Sequence, residues 1–352
     1  MKRILLILSI AVMFFSFIGA DPDARTVIGS NLPLTAKIGT SIGLETKNAA
    51  EMILEQVNAQ GGLEVQGRRH ILRFVYVDNQ LDPEQASIAA RRLVEKEKVL
   101  ALIGPQGSGR AIPAGEVCND GKTPMVSPWS TNPATTQNRP YVFRACFIDP
   151  FKALAASRFT KEKFAVNKIA ILYNQEGDYS ETLAKLYRYS WNTNYGDVAA
   201  KIVPQAKSLG WDKPIMGADA WGAADLWNLS DGPVAGCCFT TRYAAAGAVG
   251  KTKEFIDAYS AKYGYVPDDV AALSCDAVNI VPQSIQNAGL TGNLARDREN
   301  LRAAIASLKN FDGITGKISR FDNEGDPVKE VMVVKINSGG GFVYEAAVQP
   351  GR

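Results

Sequence analysis

Four short loops carry side chains able to hold a small polar solute. The first, Gly104-Pro105-Gln106-Gly107-Ser108-Gly109-Arg110, follows an apolar strand and opens a helix. It lacks the Gly-Lys-Ser/Thr ending of a phosphate-binding loop and the spacing of a dinucleotide fingerprint. What remains is a helix N-terminus with Ser108 beside exposed amides, where the helix dipole and the N–H groups favour an anion such as a carboxylate. A plain strand-to-helix turn would look the same. The second loop, Ser127-Pro128-Trp129-Ser130-Thr131-Asn132-Pro133, offers hydroxyls and backbone groups to one ligand, or caps for the next turn. The third, Glu176-Gly177-Asp178-Tyr179-Ser180, places an aromatic at a helix start. The fourth, Met216-Gly217-Ala218-Asp219-Ala220-Trp221-Gly222, puts a carboxylate straight after a short strand. That acid can receive an ammonium or cap a helix.

The elements that position these loops alternate. Thr26 to Gly29 reads as a strand, followed by a loop from Ser30 to Gly43. Ala49, Ala50, Ile53, Leu54 and Val57 recur at helical spacing over Leu44 to Asn58, and Gly61-Gly62 stops the helix. His70 to Val77 is a strand, and Asp82-Pro83-Glu84-Gln85 then supplies a cap, a proline at the first helical position and a glutamine at capping-box spacing. Further strands are expected at Val99 to Ile103, Pro124 to Val126 and Lys168 to Tyr173, and helices at about Glu181 to Trp191 and Thr252 to Lys262. Strand, helix and strand at this rhythm imply parallel sheets with right-handed crossovers, the doubly wound α/β architecture. Ligands of such sheets bind beyond the carboxyl ends of the strands, where the four loops lie.

Composition narrows the chemistry. With 39 basic and 36 acidic residues among 352, the chain has no general electrostatic footprint for nucleic acid. A single histidine, His70, argues against His-rich metal sites and most histidine-dependent catalysis. Lys2 and Arg3, the apolar run Ile4 to Ile18 and the small residues Gly19-Ala20 read as a secretory signal peptide cleaved near Ala20, too short for a spanning helix. Its removal takes away two of the 39 basic residues and no acid, which leaves a charge of +1. The five cysteines, Cys118, Cys146, Cys237, Cys238 and Cys275, are odd in number, so at least one is unpaired. Adjacent Cys237 and Cys238 on a strand would face opposite ways.

The order of these features resembles the periplasmic amino-acid-binding proteins of the leucine/isoleucine/valine type, type I periplasmic binding proteins of ABC importers. The likeness rests on Tyr76-Val77-Asp78-Asn79-Gln80 with Asp82-Pro83, Ile103-Gly104-Pro105, Ser127-Pro128 through Thr131-Asn132-Pro133, Phe143-Arg144, Gly177-Asp178-Tyr179, Gly217-Ala218-Asp219, and Tyr265-Val266-Pro267 with Cys275-Asp276-Ala277. It implies a clamshell of two doubly wound α/β lobes joined by three crossovers. Lobe 1 would comprise residues 24–146 and 245–325, and lobe 2 residues 147–244 and 326–350. It also implies that the ligand carboxylate meets Ser108, Ser130 and Thr131, and that the Trp129 carbonyl and Asp219 meet the ammonium. Tyr179 would pack over the ligand, with Tyr195 as a second cleft tyrosine. One departure is evident: Tyr187 to Trp191 runs through Asn192-Thr193-Asn194-Tyr195 almost directly into Val198 to Leu209. Roughly one βαβ step, about 30 residues, is absent from the second lobe.

The implied function is extracytoplasmic capture of an amino acid, branched-chain or similar, and delivery to an inner-membrane ABC permease. The expected location is the periplasm, and the expected state a monomer without cofactor or metal. The alternative is a sensing subunit that presents an amino acid to a chemoreceptor or sensor kinase. An enzyme is disfavoured, since there is no Gly-x-Ser-x-Gly elbow and His70 lies away from the four loops.

Overall fold

In strand β4, Ala101–Ile103, successive side chains point to opposite faces, so each strand feeds two cores. Ala101 and Ile103 join Ile28, Ala49, Ala50 and Ile53 on one side, together with Ala271 and Val278. Leu102 joins Ala86, Ala90, Ala114 and Cys118 on the other. A strand buried on both faces is what a doubly wound sheet demands. The computed structural model describes residues 25–32, 39–165, 186, 203, 205–222 and 234–349.

The first sheet has six strands: β1 (Arg25–Leu32), β2 (Leu63–Val65), β3 (Arg68–Asp78), β4, β5 (Met125–Ser127) and β6 (Val142–Arg144), in the order β2-β3-β1-β4-β5-β6. All its pairings are parallel except the β2–β3 hairpin. Helices α2 (Pro83–Arg91) and α3 (Ser108–Asp120) cover one face. The other carries α1 (Gly39–Ala59) and, from later in the chain, α6 (Asp269–Ala288). The Asp82 carboxylate accepts from the Gln85 amide at 2.8 Å, and Pro83 opens α2, as the spacing predicts. Helix α1 begins at Gly39, inside the predicted loop. Gly39-Thr40-Ser41 has neither apolar periodicity nor strong helix formers, and packing of α1 on α6 supplies what propensity lacks. The predicted stop at Gly61-Gly62 holds, with φ of +87° and +99°.

After β6 the chain enters α4 (Asp149–Phe164), which packs on a second sheet. That sheet runs β12-β11-β8-β7, built from β7 (Met216–Gly217), β8 (Cys238–Thr241), β11 (Val331–Ile336) and β12 (Phe342–Val348). Among the described residues its β7–β8 pair is parallel, while β11 runs antiparallel to both β8 and β12. From β8 the chain returns to the first sheet through α5 (Gly250–Tyr263), α6 and α7 (Leu294–Ala306). It then forms the hairpin β9 (Lys309–Gly313) and β10 (Gly316–Arg320) before passing to β11. Among the described residues these are three passages between two sheets. All five cysteines are buried and free, Cys237 and Cys238 included.

The predicted signal peptide, the strand Lys168 to Tyr173 and the missing βαβ step lie outside the described residues. So does the helix Glu181 to Trp191, except for Leu186, which is helical. No helix among the described residues is long and apolar enough to cross a membrane.

Candidate ligand site

The first two predicted loops meet. Ser108 is the first residue of α3, and its hydroxyl accepts from Ser130 Oγ at 3.2 Å and from the Asn132 amide at 3.3 Å. Ser130 Oγ also pairs with Thr135 Oγ1 at 2.6 Å. Two further contacts fix the loops. Ser127 Oγ donates to the Pro105 carbonyl at 2.7 Å. The fully buried Arg144 donates to the carbonyls of Ser130 (2.7 Å) and Asn132 (3.0 Å) and pairs through Nε with Asp326 (2.6 Å). Ser108 and Ser130 thus meet at a helix N-terminus, with Thr131 next in the loop, and hydroxyls and helix dipole there both favour an anion such as a carboxylate.

Asp219 stands at the opposite sheet, directly after β7, in the turn Asp219–Gly222. The turn is locked by Trp221, fully buried over Gly217, where a Cβ would overlap the indole ring. Asp219 is itself paired twice. Oδ1 accepts from Lys152 Nζ at 2.5 Å, and Oδ2 accepts from Arg242 Nη2. Lys152 lies 2.7 Å from Asp149, one helical turn earlier in α4, and Arg242 Nη1 donates to Asp269 Oδ2 at 3.1 Å. The same Asp269 oxygen accepts from the Trp129 indole at 3.0 Å. The guanidinium stacks 4.8 Å from the Phe147 ring and 5.8 Å from that of Trp129. The Asp149 amide donates to the Thr131 carbonyl at 2.9 Å. A continuous buried network therefore joins Asp219 to both Trp129 and Thr131.

Burial raises the Asp269 carboxyl above the usual carboxylate range; Arg242 and the Trp129 indole oppose this, and Asp219 adds to it. Next door, Asp268 caps α6 by accepting from the Ala271 amide at 3.0 Å. Burial, then Asp269 and Glu45, push its carboxyl up to about 8.

The structure thus brings Ser108, Trp129, Ser130, Thr131 and Asp219 into one connected region, while Tyr179 and Tyr195 lie outside the described residues. Among the described residues no group of His, Cys, Asp or Glu could hold a metal ion.

A model of the family described as periplasmic binding protein matches residues 26–194 and 189–341. The chain belongs to the periplasmic binding protein family. Its relatives include the Leu/Ile/Val-binding protein BraC3 of Rhizobium johnstonii, 24% identical over 86% of this chain and 89% of that protein. The leucine binding protein LivK of Thermotoga maritima has a solved structure that superposes with a TM-score of 0.81 at 28% identity, covering 92% of this chain and 99% of that one. LivJ of Streptococcus pneumoniae, a branched-chain amino acid transporter substrate binding protein solved with isoleucine, gives 0.80 at 27%, covering 93% and 100%. The type I periplasmic-binding-protein fold expected from the sequence is thereby shown.

Four members of this binding protein's network were missed by sequence reasoning: Asp149, Lys152, Arg242 and Asp269. Asp149 and Lys152 at i and i+3 opening a helix, and the paired acids Asp268-Asp269 before an apolar helix, were local signals. Arg242 had none, since an arginine after an apolar strand is ordinary.

Proposed function

We propose that this periplasmic binding protein captures an α-amino acid between its two sheets and passes it to the permease of an ATP-driven importer in the inner membrane. The observation that carries the reading is the linkage of a hydroxyl-lined helix N-terminus to the acid cluster around Asp219. The first suits a carboxylate and the second an ammonium, so a zwitterion finds complementary charge on two walls. The names of the relatives above support the same ligand class. The two lobes, divided as the sequence suggests, would close over the solute because closure adds contacts from the second wall. The role is binding and delivery, without a chemical step on the ligand, by a monomer in the periplasm.

Isothermal titration of the purified mature chain against the twenty standard amino acids tests this. One-to-one binding of at least one aliphatic amino acid is expected. Folded protein that binds none would overturn the proposal.

A further inference from the structure

The chain first leaves the six-stranded sheet after β6, over residues 145–148, and crosses for the last time between β10 and β11, over residues 321–330. These two passages are bonded to each other. Arg144 pairs with Asp326 at 2.6 Å, and its amide donates to the Gly325 carbonyl at 3.4 Å. Three residues further on, the buried Lys329 donates to the Ala145 carbonyl at 3.4 Å and to the Thr315 hydroxyl at 2.5 Å. The turn that presents Asp326 is closed by two bonds of 2.9 Å: Asp322 Oδ1 accepts from the Asp326 amide, and the Asp326 carbonyl accepts from the Asp322 amide. A Cβ on Gly325 would lie 2.5 Å from the Val142 carbonyl oxygen, so this turn lies hard against β6.

The hydroxyl-bearing loop, residues 127–132, is bonded to the first of these passages and its flanks. The Ser127 carbonyl accepts from the Ala145 amide at 3.0 Å, and the Thr131 carbonyl from the Asp149 amide at 2.9 Å. The Ser130 carbonyl accepts from Arg144 Nη1 at 2.7 Å and from the Cys146 thiol at 3.2 Å, and the Asn132 carbonyl from Arg144 Nη2 at 3.0 Å. Thr136 Oγ1 bridges the ion pair, accepting from Arg144 Nη2 at 2.6 Å and donating to Asp326 Oδ1 at 2.8 Å. Among the described residues Asp326 is the carboxylate within ion-pair reach of the fully buried Arg144. A guanidinium away from water is costly without its counter-charge, so Arg144 must sit where Asp326 puts it.

We infer that Asp326 is a positioning residue for ligand binding. Held in the last passage, it places Arg144, and Arg144 places the main chain of Ser130 and Asn132. Asp326 touches no solute itself. The inference rests on the amino-acid reading above and deepens it: the passages between the sheets are then the hinge, and the loop that meets the solute takes its geometry from that hinge. The coupling is reciprocal, so a solute held by the loop favours the hinge arrangement in which the loop is best placed.

The test compares the wild type with Asp326→Ala, using calorimetric titration of the tightest-binding standard amino acid and amide hydrogen exchange without solute. Affinity should fall at least about tenfold, the scale of one hydrogen bond to a charged group lost through misplacement. Exchange of the amides of residues 129–132 should quicken at least about tenfold, while that of Leu72 and Leu102 in the sheet stays within about twofold. Asp326→Asn, which keeps an oxygen for Thr136, should fall between the two on both measurements. A purely structural role would lower the melting temperature with affinity and loop exchange within about twofold of wild type, and that result overturns the inference. Exchange that quickens equally throughout the chain overturns it as well. If Asp326→Ala does not fold, Thr136→Val decides, since it removes the bridging hydroxyl and keeps the ion pair. Faster exchange confined to residues 129–132 supports the assignment, and unchanged exchange overturns it. If the wild type binds no amino acid, the amino-acid reading fails instead, and the exchange comparison still decides whether Asp326 places the loop.

Discussion

Lys152 and Asp219, 67 positions apart in the chain and both almost fully buried, are joined from Nζ to Oδ1 at 2.5 Å. The lysine also faces Asp149, so a single ammonium is shared by two buried acids.

Replacing Lys152 by methionine keeps most of the volume and removes that charge. Asp149 and Asp219 are then left buried, and Arg242 is the cation that remains in the network. A loss of about 3–5 kcal/mol is expected in chemical denaturation, the range for breaking a buried pair from one side. A loss under about 1 kcal/mol, the range of exposed pairs, would show that the pair is hydrated and cheap to break.

Ser108→Ala removes the hydroxyl that Ser130 and the Asn132 amide both address. If that hydroxyl also donates to a ligand carboxylate, amino-acid affinity should fall by about 1.5–3 kcal/mol, the value of a hydrogen bond to a charged group. Titration calorimetry measures this, and an affinity unchanged within twofold would remove Ser108 from the site.

The pH dependence of stability has a defined sign at Asp268. Its folded-state carboxyl lies at about 8, above its ordinary value, because of burial and then Asp269 and Glu45. The folded protein therefore holds a proton that the unfolded chain has released between about pH 4 and pH 8, and this contribution makes stability fall as pH rises through that window. Asp268→Asn keeps a side chain able to cap α6 but does not titrate. Melting temperatures of the ligand-free protein should decline less steeply with pH in the variant, and identical slopes would assign the titration elsewhere.

Gly61 and Gly62 separate backbone strain from steric contact. Both have positive φ, yet a Cβ on Gly61 meets nothing within 4 Å, whereas one on Gly62 would lie 2.5 Å from the His70 carbonyl oxygen. Alanine at 61 should cost about 1–2 kcal/mol from left-handed backbone alone. Alanine at 62 should cost clearly more, because β3 must also move. Equal losses in denaturant titrations would contradict the close approach of Gly62 to β3.

Much of the first sheet was legible because its signals are local. Asp82-Pro83 announces α2, Gly61-Gly62 ends α1, and the apolar run at Ala101–Ile103 is a strand buried on both faces. The loops holding Ser108 and Ser130 were legible because ligands of such sheets bind beyond the strand ends, and the family resemblance implied that the two serines share one role. Asp219 was legible as an acid after a strand, but its neighbours were not. Lys152, Arg242 and Asp269 come to it from 67, 23 and 50 positions away, and only the packing of α4, β8 and α6 unites them. The start of α1 at Gly39 was hidden for a related reason, since packing of the helix on α6 outweighs the weak helix formers Gly39, Thr40 and Ser41.

Arg144 has a consequence for how a solute is met. Its guanidinium grips the main chain at Ser130 and Asn132 and is itself fastened by Asp326 on a distant segment. The conformational freedom of that loop is therefore surrendered when the chain folds, not when a solute arrives. On the reading proposed above, an incoming solute would therefore meet a loop already held in place on this side.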